Sequence, residues 1–181
     1  MQRRRSNGRL LPPLVPAGLR RLLYPFAFSE TLVVESLKRR VDPYLLAAIL
    51  REESRFDPRA LSRASARGLA QFVEPTAREL GRRIGLGELS ADDLYRPEVA
   101  IALAAAHLQE LVERFDGAIP MVVAAYNAGV AQAELWRRYC ATDEPAEYLT
   151  KVSFGETRGY LEKVLRSWGE YRDLYRQRRA E

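Results

Sequence analysis

The sequence predicts a mainly all-α domain, and three observations predict it. Apolar residues recur at steps of three and four over long stretches, above all at Val99, Leu103, Ala106, Leu108, Leu111, Val112 and Phe115, and again at Tyr160, Val164, Trp168, Tyr171 and Tyr175. That spacing paints one face of a helix. No alternation of apolar and polar residues persists long enough for a half-buried strand. Prolines such as Pro43 and Pro97, finally, stand where helices start, and glycines such as Gly117 and Gly129 where they stop.

In chain order, residues 1–23 read as a Pro- and Arg-rich lead in which Leu19 to Leu23 makes a short helical turn. Tyr24-Pro25-Phe26 is extended, because the residue before a proline disfavours helix. Ser29 is expected to cap a helix reaching about Arg40, with Val33, Val34 and Leu37 on its inner face. Asp42-Pro43 opens the next one: the Asp side chain caps free N–H groups, and the proline loses nothing at a first helical position. Tyr44 to Leu50 lacks a polar stripe, so this helix should be buried on most sides. It runs to Ser54 and is expected to end at Asp57-Pro58. Residues 59–67 read as a loop, and Gly68-Leu69-Ala70-Gln71-Phe72 as its passage into a short helix. Pro75 restarts helix through Leu80, with Gly81, Gly85 and Gly87 ending it. Ser90 to Asp93 resembles a capping arrangement. Pro97 to Phe115 is the longest clear helix, Asp116-Gly117 turns the chain, and Ile119 to Tyr126 stops at Asn127-Ala128-Gly129. Val130 to Tyr139 is amphipathic, Glu144-Pro145 begins a short turn, and the helix from Glu156 frays into Arg172, Arg176, Arg178 and Arg179. The organisation is a lead (1–23), one domain (24–173) and a basic tail (174–181).

Composition narrows the function. With 181 residues, 47% hydrophobic and 29% charged, the chain is long enough for one domain with a substantial core. No apolar run approaches the ~20 residues of a membrane span. The charge of +5 arises from 29 basic and 24 acidic residues. Acids are interspersed along the chain and the arginines concentrate at its ends, so no nucleic-acid partner is expected. Cys140 is the only cysteine and His107 the only histidine. They allow no intrachain disulfide and no His/Cys metal site, and no Gly-rich loop suggests a phosphate-bearing cofactor. His107, in an Ala-rich helix, reads as packed or solvated. Arg3-Arg4-Arg5 precedes an apolar stretch that Pro12, Pro13 and Pro16 interrupt, a poor core for a secretion signal. The expectation is either that export is specified elsewhere, for instance in a longer precursor, or that the chain is processed or truncated.

The chemistry concentrates in Leu50-Arg51-Glu52-Glu53-Ser54. Helix neighbours are three and four positions apart. Glu52 finds Arg55 at i+3, an expected ion-pair partner. Glu53 finds Ile49, Leu50, Phe56 and one like charge, Asp57. An acid near the negative end of a helix among apolar groups has its pKa raised, as a general acid near neutral pH requires. The plain alternative is a solvated acid in a fraying last turn.

Four motifs then stand in a known order: Glu53-Ser54, Gly68-Leu69-Ala70-Gln71, Ala124-Ala125-Tyr126-Asn127-Ala128-Gly129, and Glu156-Thr157-Arg158-Gly159-Tyr160. Together they resemble the catalytic domain of the soluble lytic transglycosylases, which cleave bacterial peptidoglycan, over roughly Tyr24 to Tyr171. The resemblance implies a lysozyme-like fold with a cleft between helical lobes. It also implies no metal or other cofactor, glycan strands of peptidoglycan as the partner of a monomer, work in the bacterial envelope, in the periplasm, and a cell-envelope assembly as a further partner. By position Glu53 matches the family's catalytic glutamate and Tyr126 the tyrosine beside it. Ser62, Gln71 and Glu156 match polar positions of sugar subsites, and Val73 lies on the same wall. A single carboxyl is implied, acid first and base second, giving a 1,6-anhydromuramyl end. Glu52 cannot complete a two-carboxylate site, since adjacent helical residues diverge by ~100° around the axis. Ala70, Val73 and Thr150 depart from the family's usual residues, which leaves subsite preference open. Hydrolysis of the lysozyme kind, or wall binding with little turnover, stay open as alternatives. Ser54 and Asn127 read as structural hydrogen-bonding residues, and Phe56, Trp136 and Trp168 as packing.

Overall fold

A computed structural model describes residues 15–142 and 144–176. Arg3 to Arg5, Pro12, Pro13, Arg178 and Arg179, on which the lead and tail expectations partly rest, lie outside the described residues. The described chain is helical: α1 (Ala17–Leu23), α2 (Ser29–Arg39), α3 (Pro43–Ser54), α4 (Glu74–Arg83), α5 (Pro97–Arg114), α6 (Ile119–Ala128), α7 (Val130–Arg138), α8 (Pro145–Lys151) and α9 (Gly155–Tyr175), with a 3-10 turn at Asp92–Tyr95. Among the described residues, extended pairing is confined to isolated bridges, Leu61 with Arg67 and Arg67 with Phe72.

Helix α3 is the hub. Asp42 caps it as expected, accepting from the Tyr44 N–H at 2.8 Å, and every residue from Leu45 to Leu50 is buried. Each large aliphatic buried this way contributes about 1.5–3 kcal/mol. The helix packs against α2, α5 and above all α9. Helix α5 is buried from Val99 through Ala106, and its alanines let neighbouring backbones approach closely. The α9 stripe also forms: Tyr160, Val164 and Tyr171 are buried, while Trp168 and Tyr175 pack at the core's margin. Its polar tips are tied to distant chain. Trp168 Nε1 donates to Asp42 Oδ2 at 2.9 Å, Tyr171 Oη to the Pro25 carbonyl at 3.0 Å and Tyr175 Oη to the Tyr24 carbonyl at 2.9 Å. Arg20 of α1 reaches Glu170 and Asp173 at 2.5 and 2.7 Å, so Ala17–Leu23 of the expected lead is a helix held on α9.

Several local expectations are corrected. Ser29 is the first helical residue of α2 rather than its cap; Phe28, in the left-handed region, takes that place without a side-chain bond. The inner face of α2 is Leu32 and Ser36, whereas Val34 and Leu37 are 48% and 67% exposed. Helix α2 packs on α5 and α3 with Leu32 and Ser36, one turn apart, buried, and this register leaves Val34 and Leu37 outward. Helix α3 ends at Ser54 as expected, but Arg55 in the left-handed region, not Asp57-Pro58, stops it. Gly81 lies inside α4, not at its end. A Cβ there would stand 2.6 Å from Leu89 Cδ1, so glycine serves close packing. The 69–72 segment is a tight turn, not a helix, because its backbone bonds go elsewhere: Arg67 N–H to the Phe72 carbonyl and Gly68 N–H to that of Ala60, both at 2.9 Å.

Candidate active site

The last turn of α3, the 68–73 turn, the start of α4, α5 and the end of α6 converge on one cavity. Its volume is about 360 Å3 and its walls include Glu53, Ala70, Gln71, Phe72, Val73, His107, Tyr126 and Asn127. The turn is fixed from below: Ser54 Oγ donates to the Leu69 carbonyl at 2.9 Å, and the Gln71 amide donates to the Gly68 carbonyl at 2.9 Å. Gly68 is required here. Its φ is +68°, and a Cβ would fall 1.8 Å from the Leu94 carbonyl oxygen. On the other side, Thr157 Oγ1 donates to Asn127 Oδ1 at 2.8 Å, fastening the start of α9 to the end of α6. Ser54 and Asn127 thus hold the structural bonds expected of them.

Glu53 is half-buried, with one carboxylate oxygen accepting from Tyr160 Oη at 2.6 Å. Burial raises its pKa to about 7, the tyrosine bond opposes that rise, and the charge of Glu52 adds to it. Such a carboxyl can both give and take a proton near neutrality. The phenols of Tyr126 and Tyr160 are pushed well above their ordinary range by burial and by the Glu53 charge, so both stay protonated. Tyr126 Oη is shielded from solvent and has no hydrogen-bond partner among the described residues. Glu53 is the only carboxylate among the described residues lining the cavity.

Glu52 is turned away. Its expected partner Arg55 is replaced by Arg51, with which it pairs closely, and by Ser167 of α9, whose hydroxyl donates to Glu52 Oε1 at 2.8 Å. The reason is geometric: Arg55 leaves the helix in the left-handed region, while Arg51 lies flat beneath the Tyr24 ring, 4.5 Å from its centroid.

Of the residues singled out from sequence, Glu53, Gln71, Val73 and Tyr126 line the cavity; Ser62 and Glu156 are not among its lining residues. Ser62 Oγ is engaged by its own loop, accepting from the Ala66 N–H at 3.0 Å. Glu156 is exposed in the first turn of α9. Two residues were missed. Tyr160 stands in the apolar stripe of the last helix and closes the fourth motif, but neither position marks it as the partner of Glu53. His107 lines the cavity; its only sequence signal is a polar residue continuing a run of buried positions.

A family model described as the transglycosylase SLT domain matches residues 31–149. The chain belongs to this family. This SLT domain is 28% identical over 151 residues to the soluble lytic murein transglycosylase of Escherichia coli K12, covering 82% of this chain and 23% of that protein. The lytic transglycosylase Slt of Pseudomonas aeruginosa, solved as an inactive mutant with one glutamate changed to glutamine, superposes with a TM-score of 0.80 at 32% identity, over 84% of this chain and 25% of that one. The 70 kDa soluble lytic transglycosylase complexed with bulgecin A gives 0.81 at 27%, over 85% and 25%. These likenesses carry the all-α fold of the lytic transglycosylase domains over to this SLT domain. The chain spans about a quarter of the length of these relatives.

Proposed function

We propose that this SLT domain is a peptidoglycan lytic transglycosylase, cleaving the β-1,4 bond between N-acetylmuramic acid and N-acetylglucosamine with Glu53 as acid and then as base. The observation that carries this reading is a lone carboxyl among the described residues of the cavity wall, its pKa raised by burial to about 7. The E. coli relative named for murein and the glutamate whose loss inactivates the Pseudomonas relative support it.

In the first step Glu53 gives its proton to the glycosidic oxygen and the sugar leaves. The 2-acetamido group of the muramyl residue stabilises the positive anomeric carbon, so no second carboxylate is required. Glu53, now ionised, takes the proton from the muramyl C6 hydroxyl, whose oxygen closes on the anomeric carbon as the 1,6-anhydro ring. One placed acid-base group contributes about 10² to 10⁴ in rate, and the tethered hydroxyl adds the advantage of an intramolecular nucleophile. Tyr160 orients the carboxyl. Tyr126, whose hydroxyl is shielded from solvent, meets the substrate through its ring in the cavity wall. Gln71 and Val73 shape the wall, and Ser62 and Glu156, standing apart from it, are assigned to outer sugar subsites. The domain works in this reading as a monomer in the bacterial envelope, in the periplasm.

Mass spectrometry of digested sacculi tests it. Anhydromuramyl ends are expected, and Glu53→Gln is expected to abolish their release while leaving glycan binding. Reducing ends would make the enzyme a hydrolase, and binding without clearance would remove the enzymatic reading.

A further inference from the structure

We infer that His107 is a further substrate-binding residue, its imidazole hydrogen-bonding the acetamido group of a sugar held in the Glu53 cavity. This inference rests on the reading of that cavity as a glycan site.

From Val99 to Ala106 every residue of α5 is buried, and each is apolar. His107 is the first polar side chain of that run, and it stands in the cavity wall with Gln71, Phe72 and Tyr126. Its ring packs beside two aromatic rings that also touch each other, 5.8 Å from that of Phe72 and 5.1 Å from that of Tyr126, with those two 6.3 Å apart. Neither ring nitrogen makes a hydrogen bond to a described residue. The polar group facing it is the Glu110 carboxylate, with Oε2 4.0 Å from Nδ1, and that carboxylate is already engaged by Arg83 at 3.1 Å. Neither nitrogen is among the buried polar atoms left without a partner, so both stay open to solvent and can be reached by a ligand in the cavity.

Burial and the charge of Arg83 hold the His107 pKa down at about 4, so at neutral pH the ring is uncharged and offers one donor and one acceptor. Glu110 on the Nδ1 side favours the proton there and leaves Nε2 as the acceptor. A secondary amide supplies the matching N–H, and an N-acetylated sugar carries one. An uncharged ring has a second advantage. A cation in the same wall would favour the ionised form of Glu53 and undo its raised pKa.

The test uses Glu53→Gln to stop turnover, with calorimetric titration of a peptide-free tetrasaccharide of alternating N-acetylglucosamine and N-acetylmuramic acid. Adding His107→Phe keeps a ring beside Phe72 and Tyr126 but removes both nitrogens. Binding is expected to weaken about tenfold, the worth of one hydrogen bond, with the thermal midpoint unchanged or raised. Adding His107→Gln instead, whose amide reaches the Nε2 position, is expected to recover most of the affinity. Equal affinity of Glu53→Gln and Glu53→Gln/His107→Phe overturns the role of His107 alone. If Glu53→Gln itself binds no tetrasaccharide, the glycan reading of the cavity fails and this inference goes with it.

Discussion

Glu53 and Glu52 share one helical turn, yet their surroundings separate their chemistry. Because Glu53 must be protonated to act as acid and its pKa lies at about 7, turnover is expected to fall as pH rises through that value. The bond from Tyr160 holds this pKa down. Tyr160→Phe should therefore move the alkaline limb of the pH-rate profile upward, and losing the orientation of the carboxyl should slow turnover about tenfold. Glu52→Gln should do the reverse: its charge raises the Glu53 pKa, so the limb moves slightly downward while turnover is mostly kept. The larger effect belongs to stability. Glu52, 7% exposed, joins Arg51 to Ser167, and weakening this pair should cost about 1–3 kcal/mol, read by chemical denaturation. Neighbour spacing was enough to see that the two acids differ, since it depends only on α3. The partners of Glu52 and Glu53 on α9 lie over a hundred residues away, beyond the reach of any local pattern.

The turn from Gly68 to Val73 shows what an element without regular structure needs in order to be specific. It has little periodicity, and its bonds run to Ser54 and Ala60, so a sequence reading that weighs nearest neighbours takes it for a helix. Its glycine was legible as punctuation, but the close approach of the Leu94 carbonyl was not. Gly68→Ala places a methyl group against backbone at a φ that alanine rarely adopts. A loss above about 2 kcal/mol is expected in denaturant unfolding, together with a fall in activity as Gln71 and Val73 leave the wall. Helix starts were the opposite case. Pro43, Pro75, Pro97, Pro120 and Pro145 each stand at the first or second position of a helix, where proline needs no partner and marks the boundary by itself. The face of α2 was not legible, because packing on α5, not composition, chose Leu32 and Ser36.

At the scale of the molecule one apolar cluster runs from Leu32 of α2 to Tyr171 of α9, and both tryptophans touch it from separate places, Trp136 in α7 and Trp168 in α9. Unfolding should accordingly be a single cooperative event: tryptophan fluorescence and far-ultraviolet circular dichroism are expected to give one midpoint, and two midpoints would divide the core. The all-α class was readable because periodicity is a property of each segment alone. The rotation that brings His107 of α5 to face Tyr126 of α6 is a property of the assembled bundle. The clamp from Arg20 to Glu170 and Asp173 also fixes something about connectivity. It sets the two ends of the described fold side by side, and at 1.5 Å per residue Glu170 lies roughly 20 Å along α9 from Thr157, away from the cavity. The backbone is thus nearly a closed ring. Joined by a short linker between residues 15 and 176 and opened instead at the exposed Gly85-Leu86-Gly87 loop, a circularly permuted chain would retain every described helix, and both seams of an inserted module would fall on one remote face.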